Sequence, residues 1–130
     1  MIKNITKNTI IAKNELIARS VWDRGTGLLF RKFEYGRMDA MIFDRCSSLH
    51  TFFMKYKFDV FFLDKSKKVI TLYESASPWR IFNAKIKLFQ HCTAIECPEY
   101  TINKTNTQVG DIIQWENSET EKYNENKISE

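Results

Sequence analysis

Proline and glycine are scarce in this chain of 130 residues, which contains two Pro and four Gly. That composition excludes collagen-like and low-complexity chains. Apolar residues never continue for the roughly 18 positions that a transmembrane helix needs, so no membrane span is predicted. The N-terminal stretch also lacks the apolar core of a secretory signal peptide, and we therefore expect a cytoplasmic protein.

Cysteine and histidine are few as well, with three Cys and two His. An odd, small number of cysteines suits reduced thiols rather than a disulfide framework. The possible soft metal ligands include no Cys-x-x-Cys and no His-x-x-x-His pair, so neither a metal site nor a cofactor is predicted. These possible ligands are Cys46, His50, His91, Cys92 and Cys97.

Hydrophobic residues make up 43% and aromatic residues 14% of the chain, which is enough for one aromatic-rich core. The net charge is +4, but the last 14 residues carry four Glu and two Lys. We therefore expect a single basic domain over residues 1–116, followed by a disordered acidic tail over residues 117–130.

Short β-prone segments alternate with turn signals, and this pattern predicts a mainly β fold. We expect a small single-domain β-sandwich or barrel-like fold with one or two short helices, one of them capped by Ser20. Two hairpins are predicted, one joining 9–12 to 15–18 and one joining 58–63 to 69–73 through the polar DKSKK connection. Further strands are predicted at 40–43, 84–88, 94–97 and 112–115.

Several of these segments resemble the DUF192 family of small bacterial and archaeal proteins. The resemblance rests on CSSLHTFFM at 46–54 and FDVFFLD at 58–64, with GLLF at 27–30, AMIF at 40–43, Val69, Pro78-Trp79 and Gly110-Asp111. It covers residues 17–116 and departs from the family pattern at Lys57, where Pro is usual, and near Tyr100, where Gly is usual. The resemblance implies a compact, mostly β domain and no particular activity.

The stretch LHTFFMKYKFDVFFLD, residues 49–64, places His50 and Asp59 at the edges of an apolar run. A buried carboxylate requires a partner, and His50 is a natural candidate if the chain turns back between the two residues. The indole N–H of Trp79 and the guanidinium of Arg80 are the other candidates. Two interpretations stay open. His50 and Asp59 form a buried structural pair, or they line a ligand pocket with Met54, Trp79 and Arg80.

The function favoured by the sequence is a non-catalytic accessory module that binds a small molecule or a peptide at this pocket. One alternative is a small hydrolase-type enzyme that uses His50, although no Gly-x-Ser-x-Gly elbow and no phosphate-binding loop is present. Another is an RNA-binding module, because basic and aromatic residues interleave in FFMKYKF and PWRIF. The oligomeric state is left open.

The same patterns predict which side chains form the core. These are Phe52, Phe58, Val60, Phe62, Leu63, Val69, Leu72, Ile95 and Ile112.

Overall fold

The structure, a computed structural model, describes residues 1–18, 32–34, 37–85 and 90–116. Within these ranges the chain forms ten strands and one short helix, so the predicted mainly β fold is confirmed. The strands are β1 (Ile2–Asn4), β2 (Thr9–Ala12), β3 (Glu15–Ile17), β4 (Ala40–Phe43), β5 (Ser48–His50), β6 (Phe58–Leu63), β7 (Val69–Ala76), β8 (Ile81–Asn83), β9 (Thr93–Pro98) and β10 (Ile113–Gln114), and the helix is α1 (Thr101–Thr105).

A five-stranded sheet in the order β3-β4-β9-β6-β7 forms the centre of the molecule. All six residues of β6 are buried, because this strand lies between β7 and β9 and is covered on both faces. Side chains alternate along a strand, so Phe58 and Phe62 point to one face of the sheet and Asp59 and Phe61 to the other.

The two faces of the central sheet carry separate hydrophobic clusters. On one face, Phe61 packs in a cluster with Ile2 of β1, Ile102 of α1 and Ile113 of β10, so the small sheet β10-β1-β2 and the helix cover this side. On the other face, the ribbon formed by β5 and β8 packs against the sheet through Leu49 and other partly buried side chains. The layered arrangement explains how a chain with short strands buries a hydrophobic cluster on each face of its central sheet.

The second predicted hairpin is confirmed, because β6 and β7 pair antiparallel across the DKSKK connection. Asp64 holds this turn as its position suggests, with its carboxylate accepting hydrogen bonds from the backbone N–H groups of Ser66 and Lys68.

The first predicted hairpin is wrong. β2 pairs with β1 in the three-stranded sheet, whereas β3 pairs in parallel with β4 in the central sheet. The carboxylate of Asp39 accepts hydrogen bonds from the backbone N–H groups of Lys13 and Asn14, so a distant residue sets the direction of the chain between β2 and β3.

Most of the predicted core is confirmed, with three exceptions. Phe52 is exposed, because it lies in the turn after β5 rather than in a strand. Leu72 is only partly buried. Ile112 is also partly buried, and its neighbour Ile113 takes the fully buried position, because the last strand begins one residue later than predicted. The confirmed residues are Phe58, Val60, Phe62, Leu63, Val69 and Ile95.

Four predictions lie wholly or partly outside the described residues. They are the helix capped by Ser20, the GLLF motif at 27–30, the strand at 84–88 beyond residue 85, and the acidic tail at 117–130. The described start of the 84–88 prediction is wrong, because Ala84 and Lys85 are not in a strand and β8 ends at Asn83. Within the described residues, no helix is both long and apolar enough to cross a membrane.

Candidate functional site

The structure separates His50 from Asp59, so the predicted pair between them is wrong. His50 is exposed in the two-stranded ribbon, where it lies opposite Ile81 of β8, and its imidazole stacks on the ring of Phe52 at 5.1 Å. Asp59 is fully buried in the central sheet. The turn between β5 and β6 carries the chain from the ribbon to the sheet, and the two side chains therefore belong to different layers.

Asp59 binds backbone groups instead. One carboxyl oxygen accepts the N–H of Ser75 at 2.9 Å and the other accepts the N–H of Ile102 at 2.8 Å. Ser75 has a left-handed backbone (φ 51°), and Ile102 is in the first turn of α1, whose N-cap residue Tyr100 makes no side-chain cap. Asp59 thus supplies from a neighbouring strand the acceptor that a helix N-terminus needs.

Thr51 joins the turn after β5 to the loop before β8. Its backbone N–H donates to the carbonyl of Arg80 at 2.8 Å, and its carbonyl accepts the N–H of Trp79 at 2.9 Å. Its buried hydroxyl donates to the carbonyl of Ser77 at 2.6 Å and accepts the N–H of Arg80 at 3.0 Å. Four hydrogen bonds from one residue fix the two loops against each other.

Four rings meet on the surface that Thr51 fixes, and we call His50, Phe52, Phe53 and Trp79 the aromatic cluster. Phe53 contacts Trp79 with ring centroids 4.7 Å apart, and Phe52 lies 6.2 Å from Trp79. The cluster is open to solvent, because Phe52, Phe53 and Trp79 are 36%, 65% and 61% exposed. Exposed large aromatic side chains that touch one another mark interaction surfaces more often than scattered ones do.

Two members of the aromatic cluster have a strained backbone. Phe53 has a φ of 65° and Trp79 a φ of 63°, in the left-handed region that bulky side chains rarely adopt. Each such residue costs about 1–2 kcal/mol. Burial of the rings offsets little of this cost, because both rings remain mostly in solvent.

The other predicted site residues lie at the edges of the aromatic cluster. Met54 is buried beneath it, with its N–H bonded to the carbonyl of Thr51, and it packs in the core next to the ribbon. Arg80 is exposed directly after Trp79. The structure therefore brings His50, Met54, Trp79 and Arg80 to one region and leaves Asp59 outside it.

A surface pocket of about 490 Å³ is lined in part by Lys55, Tyr56 and Lys57, which follow Phe53 in sequence, and by Phe33. Lys55 and Lys57 are exposed on either side of Tyr56, whose ring contacts Phe33 edge-on at 6.1 Å. Lys32, Pro98 and Glu99 complete the lining.

Glu96 lies near Tyr56 and is buried in β9 between Met41 and Val60 of the flanking strands. Among the residues that the structure describes, its Oε2 atom has no hydrogen-bond partner. Burial raises the pKa of the carboxyl to about 8. Burial, and secondarily the charge of Glu96, raises the pKa of Tyr56 to about 12.

Three observations concern metal-ligating and nucleophilic side chains among the described residues. These residues contain no group of three or more metal-ligating side chains. Burial, with a smaller effect from Cys46, raises the pKa of the Cys92 thiol to about 11, which makes that thiol a poor nucleophile at neutral pH. His50 contacts an aromatic ring and, within the part of the chain described, no carboxylate orients its imidazole.

Sequence reasoning missed Phe52, Phe53 and Thr51. Phe52 and Phe53 were part of an apolar run and therefore resembled core residues. The Pro78-Trp79-Arg80 segment carried the only available signal, because a tryptophan directly after proline sits in a loop rather than in a buried strand. The bonds of Thr51 join residues 26 and 29 positions apart, a distance that local patterns do not report.

Comparisons with known proteins agree with this architecture. The DUF192 family model, described as an uncharacterized ACR family, matches residues 3–115. A UPF0127 protein of Thermococcus sibiricus is 34% identical over 125 residues, which cover 89% of this chain and 75% of the relative. A UPF0127 protein of Pyrococcus horikoshii is 32% identical over 117 residues, which cover 88% of this chain and 98% of the relative.

A crystal structure of a protein of unknown function from Novosphingobium aromaticivorans shares the fold, with a TM-score of 0.66 at 20% identity. The match covers 78% of this chain and 74% of that protein. The sequence resemblance, the family match and the shared architecture agree, and the chain belongs to the DUF192 family, whose function is uncharacterised.

Proposed function

We propose that this chain is a non-catalytic binding module and that the aromatic cluster is its ligand-binding surface. The observation that carries the proposal is the conformation of Phe53 and Trp79, which combine a left-handed backbone with rings in solvent. Strain of this kind persists where the surrounding structure enforces it, and it is concentrated at functional sites. Thr51 provides the enforcement here, since its four hydrogen bonds fix both loops.

The chemistry of the cluster defines the ligands that fit it. Rings with exposed faces bind planar or apolar groups, because contact removes apolar surface from water and allows offset stacking. His50 and Arg80 add donors beside the rings, so a ligand that carries a polar or anionic group next to a planar one is favoured. The two loops are already linked by hydrogen bonds, and a ligand therefore meets a surface that needs little ordering.

The proposal is tested by mapping small probes on the ¹⁵N-labelled full chain by NMR. The probes are adenosine 5′-monophosphate, N-acetyl-tryptophanamide and maltose, which represent a nucleotide, an aromatic peptide group and a sugar. We expect at least one of them to shift the backbone amides of His50, Phe53, Trp79 and Arg80. The double variant Phe53→Ala/Trp79→Ala should lose these shifts, because it removes the two most exposed rings.

Val109→Ala is the matched control, since Val109 is an equally exposed apolar residue outside the cluster. This variant should keep the response of the wild type. The proposal is overturned if no probe shifts the amides of the cluster, or if every responding amide lies on another surface, such as the pocket beside Lys3 and Lys13.

A further inference from the structure

Positive charge is concentrated on the two chain segments that form the aromatic cluster. Residues 45–58 and 75–95 contain six Lys and Arg and no Asp or Glu. The whole chain carries only +4, so all remaining residues together carry −2. Lys87 lies outside the described residues, and the other five cations give the segments that carry the exposed rings a net positive charge, which attracts anions.

Basic residues are sequence neighbours of Trp79 and of Phe53. Arg80 follows Trp79 directly, and its backbone is bonded to Thr51 in the centre of the site. Lys55 and Lys57 follow Phe53 after Met54 and line the adjoining pocket together with Lys32. Glu99 is the one acidic residue in the described lining of that pocket.

The pocket repeats the pairing of a ring with a cation. Tyr56 lies between Lys55 and Lys57, and its ring contacts Phe33 edge-on. The aromatic cluster and the pocket are linked by the segment Phe53–Lys57, in which aromatic and basic side chains follow one another. We refer to the aromatic cluster and the pocket together as the strip, and a ligand that matches it carries both planar groups and negative charges.

We propose that the occupant of this strip is a single-stranded nucleic acid, whose bases stack on the rings of Phe53 and Trp79. Its phosphates contact the neighbouring cations Lys55, Lys57 and Arg80. This inference rests on the proposed function, because it names the ligand of the same surface. Unpaired bases expose the flat faces that stack on aromatic side chains, and lysine and arginine neutralise the adjacent backbone.

The same features argue against the two nearest rivals. An acidic peptide matches the charge but offers no row of planar groups to the exposed rings. Duplex nucleic acid matches the charge too, but its bases are stacked within the helix and cannot reach the faces of Phe53 and Trp79.

The test measures the fluorescence anisotropy of 5′-labelled oligouridine and oligothymidine of about 12 nucleotides, titrated with the full chain. We expect both single strands to bind more tightly than a labelled duplex of the same length. Trp79→Ala should weaken binding of the single strands about tenfold or more, which is the typical effect of losing one stacking side chain. Val109→Ala should have no effect.

A charge-matched pair of variants tests the phosphate contacts. Lys55→Gln/Lys57→Gln should lower the slope of log affinity against log salt by about 1.4, because each phosphate contact on a single strand contributes about 0.7. Lys3→Gln/Lys13→Gln removes the same charge from another surface and should leave the slope unchanged.

The inference is overturned by any of three results. Neither single strand binds at about 100 µM chain, the duplex binds more tightly than the single strands, or Trp79→Ala binds as the wild type does. The first result, combined with a response of the cluster to N-acetyl-tryptophanamide, would reject nucleic acid and leave the proposed binding surface intact. If the single strands do not bind and no probe shifts the amides of the cluster, both the nucleic-acid inference and the proposed binding surface are rejected.

Discussion

Replacing Glu96 with methionine is expected to raise the free energy of unfolding at pH 7 by about 3 kcal/mol. The carboxyl is buried among apolar side chains of β9 and its neighbouring strands, and its Oε2 atom has no hydrogen-bond partner within the described part of the chain. Its pKa is raised to about 8 by burial. Methionine fills a similar volume without a polar atom, so the variant no longer buries a carboxyl that lacks a full set of hydrogen bonds.

The gain should depend on pH in a defined direction. Between the ordinary pKa of about 4.5 and the folded value of about 8, the folded chain keeps a proton that the unfolded chain has released. The stability that the wild type has at low pH is therefore fully present below pH 4.5. It is lost as the pH rises toward 8, because only the unfolded chain gains free energy by releasing the proton of Glu96. The stability difference between Glu96→Met and the wild type should grow by about 3.5 kcal/mol from pH 5 to pH 8.

Urea unfolding of both proteins at pH 5, 6, 7 and 8 measures this difference. Glu116→Gln removes an exposed carboxyl and serves as the control, which should follow the wild type at each pH. A stability difference between Glu96→Met and the wild type that stays constant over this range would contradict a buried, proton-retaining carboxyl.

Replacing Asp59 with alanine is expected to lower the free energy of unfolding by about 3 kcal/mol. The change leaves the backbone N–H groups of Ser75 and Ile102 without their acceptor. A buried donor that loses its partner costs about 1–3 kcal/mol, and two donors are affected here. Equilibrium unfolding in urea gives the value directly.

Two variants distinguish the hydrogen bonds of Asp59 to backbone N–H groups from the buried pair with His50 that the sequence suggested. Asp59→Asn keeps one acceptor oxygen and should lose less stability than Asp59→Ala. His50→Ala should change stability by less than about 0.5 kcal/mol, because His50 is exposed. A loss in His50→Ala as large as that in Asp59→Ala would restore the pair and contradict the structure.

The sequence predicted those parts of the fold that local patterns determine. The alternation of side chains in 58–63 and the polar connection after it gave the β6–β7 hairpin and the burial of both faces of β6. The partners of β2 and β3 could not be predicted in this way, because Asp39 redirects the chain from a position 25 residues beyond Asn14.

The candidate site was predicted in part, for a similar reason. His50, Met54, Trp79 and Arg80 were expected together, and the structure places them together. Phe53 was missed because hydrophobicity alone does not distinguish a buried ring from one held in solvent by a left-handed backbone.

Asp59 was assigned to the wrong set of neighbours. Its true partners, the backbone N–H groups of Ser75 and Ile102, lie 16 and 43 residues further along the chain. Every residue except proline has a backbone N–H group, so the sequence does not show which of these groups a buried carboxylate binds. The partners of Asp59 become clear only once the packing of α1 against the sheet is known.

The central claim is that the aromatic cluster is kept for binding rather than for folding, and the unfolding free energy of Phe53→Asn tests it most directly. Asparagine tolerates the left-handed backbone, so relief of strain should offset the loss of a mostly exposed ring. The account predicts a change of less than about 1 kcal/mol, whereas the buried-ring variant Phe61→Ala should lose about 3–5 kcal/mol. A loss in Phe53→Asn as large as that in Phe61→Ala would show that the ring supports the fold, and would contradict the account.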